Sequence, residues 1–263
     1  QSSDADGQIV KRGINFDGDD EFERTGPTIS KTFSEPGIYT YEVRAIDNSG
    51  NEEREMREIA VYRPADWPGL AGGPTRSSYR SDTTGPVNNA GVDWHVEAGG
   101  GPPSDSTPVI INETVYTGAG SQVIAHNQND GATLWSTTLE EEIISAPAAW
   151  GDLLLVSTTD AVVGINQQTG TINWRQNATS GQLAIKNGVV YTSGGSKGYS
   201  RNDFASAIDI QTGNILWTSG YKTDSGIAIG DGKVYLPNAG RGVTALLTTN
   251  GTVAWEVEST TFD

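Results

Sequence analysis

Ala207-Ile208-Asp209-Ile210-Gln211-Thr212-Gly213-Asn214-Ile215-Leu216-Trp217 reads as a short strand, a tight polar turn at Thr212-Gly213, and a second strand closed by a large aromatic residue. The frame recurs at Ala125–Trp135 around Asp130-Gly131, at Gly164–Trp174 around Thr169-Gly170, and at Ala245–Trp255 around Asn250-Gly251. A degenerate earlier copy ends at Gly91 and Trp94. The anchors Trp94, Trp135, Trp174, Trp217 and Trp255 are 41, 39, 43 and 38 residues apart. A near-constant period of about 40 residues marks a stacked or radial repeat, and this decides the fold.

Each period holds further strand patterns ahead of the frame. Pro108–Ile111, Thr114–Thr117 and Val123–Asn127 precede Ala132–Trp135. The series returns as 146–150, 153–157, 161–166 and 171–174, then as 183–186, 189–192, 205–210 and 214–217, and finally as 227–229, 233–236, 242–247 and 252–255. Four short strands per period predict about four four-stranded blades of a β-propeller over residues 91–263. Asn187-Gly188 and Asp231-Gly232 suit turns that need positive φ. The one sizeable insertion, 194–204, carries Lys197, Tyr199 and Arg201 and is the expected place for blade-specific recognition.

The Ala-x-Asp-x-x-Thr-Gly-x-x-x-Trp frame resembles the tryptophan-docking repeat of PQQ-like, quinoprotein-type propellers. Residues 205–217 match in full, whereas the other copies replace the Asp with Asn127, Asn166 and Leu247. The resemblance implies structural docking roles for Trp135, Trp174, Trp217 and Trp255, with Gly131, Gly170, Gly213 and Gly251 permitting the turns. Burying each ring between blades is worth about 2–3 kcal/mol. Trp67-Pro68 resembles the lead-in that precedes the first blade in such proteins. Enzymes of this type look to an adjacent Cys pair, a calcium held by Glu and Asn, and an Asp base. The chain contains no Cys, and no residue matches the calcium ligands or the base. The expectation is therefore no catalytic and no cofactor-binding residues, as in the non-enzymatic relatives that share the repeat, among them an outer-membrane assembly lipoprotein and prokaryotic surface proteins.

Residues 1–64 differ in texture. Alternation predicts strands at 28–33, 38–46 and 55–62, with turns at Pro36-Gly37 and Asn48-Ser49-Gly50-Asn51. Ser3-Asp4-Ala5-Asp6-Gly7-Gln8-Ile9, Asn15-Phe16-Asp17-Gly18-Asp19 and Lys31-Thr32-Phe33-Ser34-Glu35-Pro36-Gly37-Ile38-Tyr39-Thr40 together resemble the PKD domain, an immunoglobulin-like module. That implies a partial sandwich lacking its N-terminal strands. Asp17, Asp19 and Asp20, with Glu21, form the candidate calcium cluster, although the ordered spacing of an EF-hand loop is missing. Residues 65–90, rich in Pro, Gly, Ser and Thr, read as the linker and propeller lead-in.

The net charge of -16 argues against nucleic acid and anionic membrane surfaces as partners. Arg exceeds Lys, 11 to 6, a balance suited to high salt and hence to a halophilic, archaeal source. His95 and His126 are lone imidazoles, and structural or solvated roles are expected for them. Asn112, Asn177 and Asn250 begin sequons, so they are glycosylation candidates outside the cell. No window has the apolar length of a membrane span. The resulting expectation is an all-β, non-enzymatic extracellular surface protein. Its propeller would bind protein or glycan in adhesion, with the PKD-like module as spacer and the ring completed by further chain or another subunit. The alternatives are a quinoprotein-like dehydrogenase whose cofactor residues lie elsewhere, and a structural subunit of a filament.

Overall fold

The computed structural model describes residues 8–16, 24–25, 30–62, 93–96, 107–178, 181–194, 204–221, 223, 226–238 and 242–258. Every regular element among them is a strand. The chain divides into two compact units, Gln1–Tyr62 and Arg63–Asp263.

In the first unit β1 (Ile9–Asn15), β2 (Arg24–Thr25), β3 (Gly37–Asp47) and β4 (Glu52–Val61) form one antiparallel sheet in the order β2-β1-β3-β4. The β3–β4 turn is built by Asp47, whose Oδ1 accepts the amides of Ser49 and Asn51 at 2.8 Å each while Gly50 takes φ +86°. The Asn51 side chain donates to Asp47 Oδ2 at 2.7 Å, and this bond holds the Asp47 carboxyl below its ordinary range. Buried Arg44 on β3 donates to Glu52 on β4 through Nε at 2.6 Å. Of the strand expected at 28–33, the described part, residues 30–33, is irregular, and 28–29 lie outside the described residues. Phe33 instead packs on Tyr39 at 4.3 Å and Phe16 at 6.4 Å, so its ring pins a loop. The inner strand beside β3 is β1, which the Asp-rich motifs at either end had disguised. The described residues contain one sheet in this unit, and the second sheet of a sandwich is not among them.

The second unit is a series of four-stranded antiparallel meanders. Blade 1 comprises β5 (Val109–Ile111), β6 (Thr114–Ala119), β7 (Gln122–Asn127) and β8 (Thr133–Thr138). Blade 2 comprises β9 (Ala148–Trp150), β10 (Leu153–Ser157), β11 (Ala161–Asn166) and β12 (Ile172–Asn177). Blade 3 is β13 (Leu183–Lys186), β14 (Val189–Ser193), β15 (Ala205–Asp209) and β16 (Ile215–Ser219), and blade 4 is β17 (Ala228–Gly230), β18 (Lys233–Asn238), β19 (Gly242–Leu247) and β20 (Val253–Glu258).

The two middle strands of a blade are covered on both faces, so they read as unbroken apolar runs rather than alternating ones. Leu153, Leu154, Leu155 and Val156 on β10 and Ala161, Val162 and Val163 on β11 are all buried. The fourth strands instead carry half-exposed apolar residues such as Leu134 and Leu216. The turns joining the first two strands at Asn112-Glu113, Asn187-Gly188 and Asp231-Gly232 have φ of +49° and +62°, +51° and +70°, and +47° and +69°. Such paired positive values give the turn whose twist matches the flanking strands.

Candidate functional site

The repeating feature of the second unit is a docking seat between consecutive blades. On the third strand of each blade a small residue faces the indole of the fourth: Ala125 pairs with Trp135, Gly164 with Trp174, Ala207 with Trp217 and Ala245 with Trp255. Each pairing is followed by a register shift, so the strand bulges next to the ring. At Gly164 a Cβ would meet the Trp174 ring at 2.4 Å, so this ring would have to shift to admit the alanine that the other three blades carry here.

The far face of each ring covers the turn of the next blade. Trp135 lies over Gly170, Trp174 over Gly213, and Trp217 over Gly251, with ring atoms 2.7, 2.7 and 2.4 Å from where a Cβ would stand. These glycines also have φ between +69° and +73°, a conformation that side chains strain. Indole Nε1 then donates to a turn carbonyl: Trp135 to Gln167 at 2.9 Å, Trp174 to Ile210 at 3.0 Å, and Trp217 to Thr248 at 2.7 Å. Trp94 makes the same contact with blade 1, lying over Gly131 and donating to Gln128 at 2.7 Å. Trp255 is 40% exposed and packs at a tilt against Tyr235 with ring centres 5.8 Å apart, with no such seat among the described residues.

The accepting residue is itself held from behind. Backbone amides of Gln128, Gln167, Ile210 and Thr248 donate to Glu113, Asp152, Gly188 and Gly232, at 2.9, 2.8, 3.0 and 2.9 Å. A turn between the first two strands therefore positions the carbonyl that receives the neighbouring blade's indole. Sequence reasoning did not find this relay, since a backbone acceptor leaves no residue-type signal. The turn beneath each glycine is shaped by side chains where the frame allows. Asp209 Oδ1 accepts Thr212 N at 2.8 Å and its hydroxyl at 2.7 Å, and Asn166 Oδ1 accepts Gln168 and Thr169 amides at 3.0 Å each. Where Leu247 replaces the acceptor, Asn250 accepts from the Thr252 amide and hydroxyl instead.

Two aromatic neighbours tune the seats. The Tyr116 hydroxyl donates to the Gln167 carbonyl at 3.2 Å, and burial pushes its phenol up to about 12. His126 is buried, its ring 6.4 Å from Trp94, with Nδ1 3.3 Å from the Gly131 carbonyl oxygen. His95 is exposed.

The opposite ends of blades 1 and 2 gather acidic loops. Arg175 pairs with Glu141, whose carboxylate also accepts the Thr158 hydroxyl at 3.4 Å, while the Thr159 amide donates to the backbone carbonyl of Glu142 at 3.0 Å. Glu140 and Asp160 at this end are exposed. Sequon residues Asn112, Asn177 and Asn250 are all exposed. Asp17, Asp19 and Asp20 lie outside the described residues, as do the linker 65–90 and Lys197, Tyr199 and Arg201 of the insertion. Among the described residues no group of His, Cys, Asp or Glu could hold a metal ion, and no helix is long and apolar enough to cross a membrane. The arrangement locks consecutive blades to one another through these seats.

A family model described as outer membrane protein assembly factor BamB matches residues 84–197 and 201–262. Curated proteins of that name are similar: one from Moranella endobia is 25% identical over 275 residues, spanning 92% of this chain and 69% of its own length. Another, from Francisella salina, is 28% identical over 136 residues, covering 44% of this chain and 24% of the relative. The chain thus spans well under two thirds of that relative's length. Among solved structures, BamB from Moraxella catarrhalis superposes with a TM-score of 0.51 at 13% identity over 86% of this chain and 62% of its own. A quinohemoprotein alcohol dehydrogenase from Pseudomonas putida HK5 gives 0.61 at 14% identity over 74% and 40%. Both share the propeller fold. These findings overturn the expectation of an extracellular adhesion protein with a glycan-binding role. The named relatives are bacterial outer membrane assembly factors, and nothing in them points to a halophilic archaeon. Acidic charge and sequons describe a surface without specifying a compartment, which is why they misdirected the reading.

Proposed function

The chain belongs to the family described as outer membrane protein assembly factor BamB, and on that premise we propose that it is a protein-binding scaffold of the bacterial cell envelope acting in outer membrane protein assembly. The observation that carries this reading is the coincidence of the family match with the blades, the matched residues 84–197 and 201–262 including every docked tryptophan from Trp94 to Trp217. A row of interlocked blades suits a scaffold, because a surface ordered before contact loses little entropy on binding. The reading is non-catalytic: the chain presents shape and charge, and the dehydrogenase likeness rests on fold alone. For the N-terminal unit the PKD-like motifs support an immunoglobulin-like module.

The test places a photo-crosslinking residue at exposed Glu140 or Asp160 and expresses the chain in a bacterium lacking its own BamB. Crosslinks to the outer membrane assembly machinery, together with recovery of outer membrane protein levels, are expected. Neither crosslink nor recovery, from a chain that is folded in the envelope, overturns the proposal.

A further inference from the structure

We propose that Asn187-Gly188 is a spontaneous modification site, where deamidation to isoaspartate loosens the seat that holds Trp174. In this reaction the Gly amide nitrogen attacks the Asn side-chain carbonyl carbon and ammonia leaves, forming a five-membered succinimide. Water then opens either carbonyl of that ring, giving aspartate or isoaspartate. The balance is one water in and one ammonia out, with no redox partner.

The chain has two Asn-Gly pairs, and their surroundings differ. At Asn250-Gly251 the Asn Oδ1 is held by the Thr252 amide at 3.1 Å and hydroxyl at 2.8 Å. The attacking Gly251 nitrogen donates to the Leu247 carbonyl at 2.9 Å beneath the Trp217 ring. Reaction there requires the seat to open first. Asn187 sits exposed at the tip of a two-residue hairpin, with φ +51° and Gly188 at +70°. Among the described residues no hydrogen bond restrains its side chain or the Gly188 N–H.

The two products act differently. Asp231-Gly232 occupies the equivalent turn of blade 4 with φ +47° and +69°, and Gly232 still holds the Thr248 amide at 2.9 Å. Ordinary aspartate at 187 therefore preserves the turn. Isoaspartate routes the backbone through the side chain and adds a methylene, which a two-residue turn cannot absorb. The Gly188 carbonyl then leaves the Ile210 amide, and Ile210 is the residue whose carbonyl receives Trp174 Nε1 at 3.0 Å.

The experiment ages the full chain in mildly alkaline buffer, folded or in urea, and follows both sites by peptide mapping. In the folded chain Asn187 should convert at least about tenfold faster than Asn250, with the two rates converging in urea. Hydrogen exchange at Ile210 should accelerate in the purified isoaspartate fraction and stay unchanged in an Asn187→Asp variant. Equal rates in the folded chain, or Asn250 reacting first, overturns the site. An Ile210 amide equally protected in the isoaspartate fraction overturns its link to Trp174.

Discussion

Trp174 of blade 2 lies against Gly213 of blade 3 so closely that a Cβ on residue 213 would stand 2.7 Å from the indole Cδ2. Gly232 has nearly the same φ, +69° against +73°, yet nothing lies within 4 Å of its Cβ position. The pair separates backbone strain from docking. Gly232→Ala should cost about 1–2 kcal/mol from the left-handed conformation alone. Gly213→Ala should cost at least about 1 kcal/mol more, because it must also displace the ring. Urea midpoints of the two variants check this, and equal losses would remove docking from the account.

Removing the ring tests the seat from the other side. Trp174→Ala should lose about 3–5 kcal/mol. Trp174→Phe keeps apolar area but drops the bond to Ile210, leaving a carbonyl short of a donor at a net cost near 1 kcal/mol plus lost packing. Trp255, 40% exposed, should tolerate alanine with a smaller loss than Trp174. Denaturation monitored by fluorescence gives the ranking.

The tryptophan spacing made the blades legible because a buried indole needs both a small facing residue and a glycine turn, and all three recur in register. What stayed hidden was carried by the backbone. The acceptors are Gln128, Gln167, Ile210 and Thr248, and residue type can vary there because the indole bonds to a backbone carbonyl. In the first unit, alternation suggested a strand through Phe33, whereas residues 30–33 are irregular and Phe33 is spent on an aromatic contact with Tyr39. The biological setting was less legible still, since net charge is a property of the whole surface and names no partner.

Tyr116 adds an alkaline dependence. Its phenol is raised by burial from 10.0 to about 12, so between these values the folded chain keeps a proton that the unfolded chain releases. The stabilisation is complete below the unfolded value and is lost as pH rises through the folded one. Tyr116→Phe removes the bond to Gln167 and should flatten this part of the curve. Thermal melts of both proteins across the alkaline range decide it, and an unchanged slope in the variant would assign the loss to other groups.

His126 occupies the place that Ile165, Ile208 and Leu246 take in the other blades, each directly after the bulge beside the tryptophan. Those three residues are fully buried, whereas the one polar contact of the imidazole among the described residues is a long one, 3.3 Å, with the Gly131 carbonyl oxygen. Removing the imidazole spares the cost of burying a poorly bonded polar ring, and this offsets the weak contact that the Gly131 carbonyl loses. His126→Ile should therefore hold or gain stability, by up to about 1 kcal/mol. The reverse exchange, Ile165→His, puts an imidazole into a fully apolar position and should cost about 2 kcal/mol or more. If His126→Ile instead melts well below the parent while Trp94 remains docked, the Gly131 contact matters far more than its length indicates, and the histidine is a structural part of the first seat.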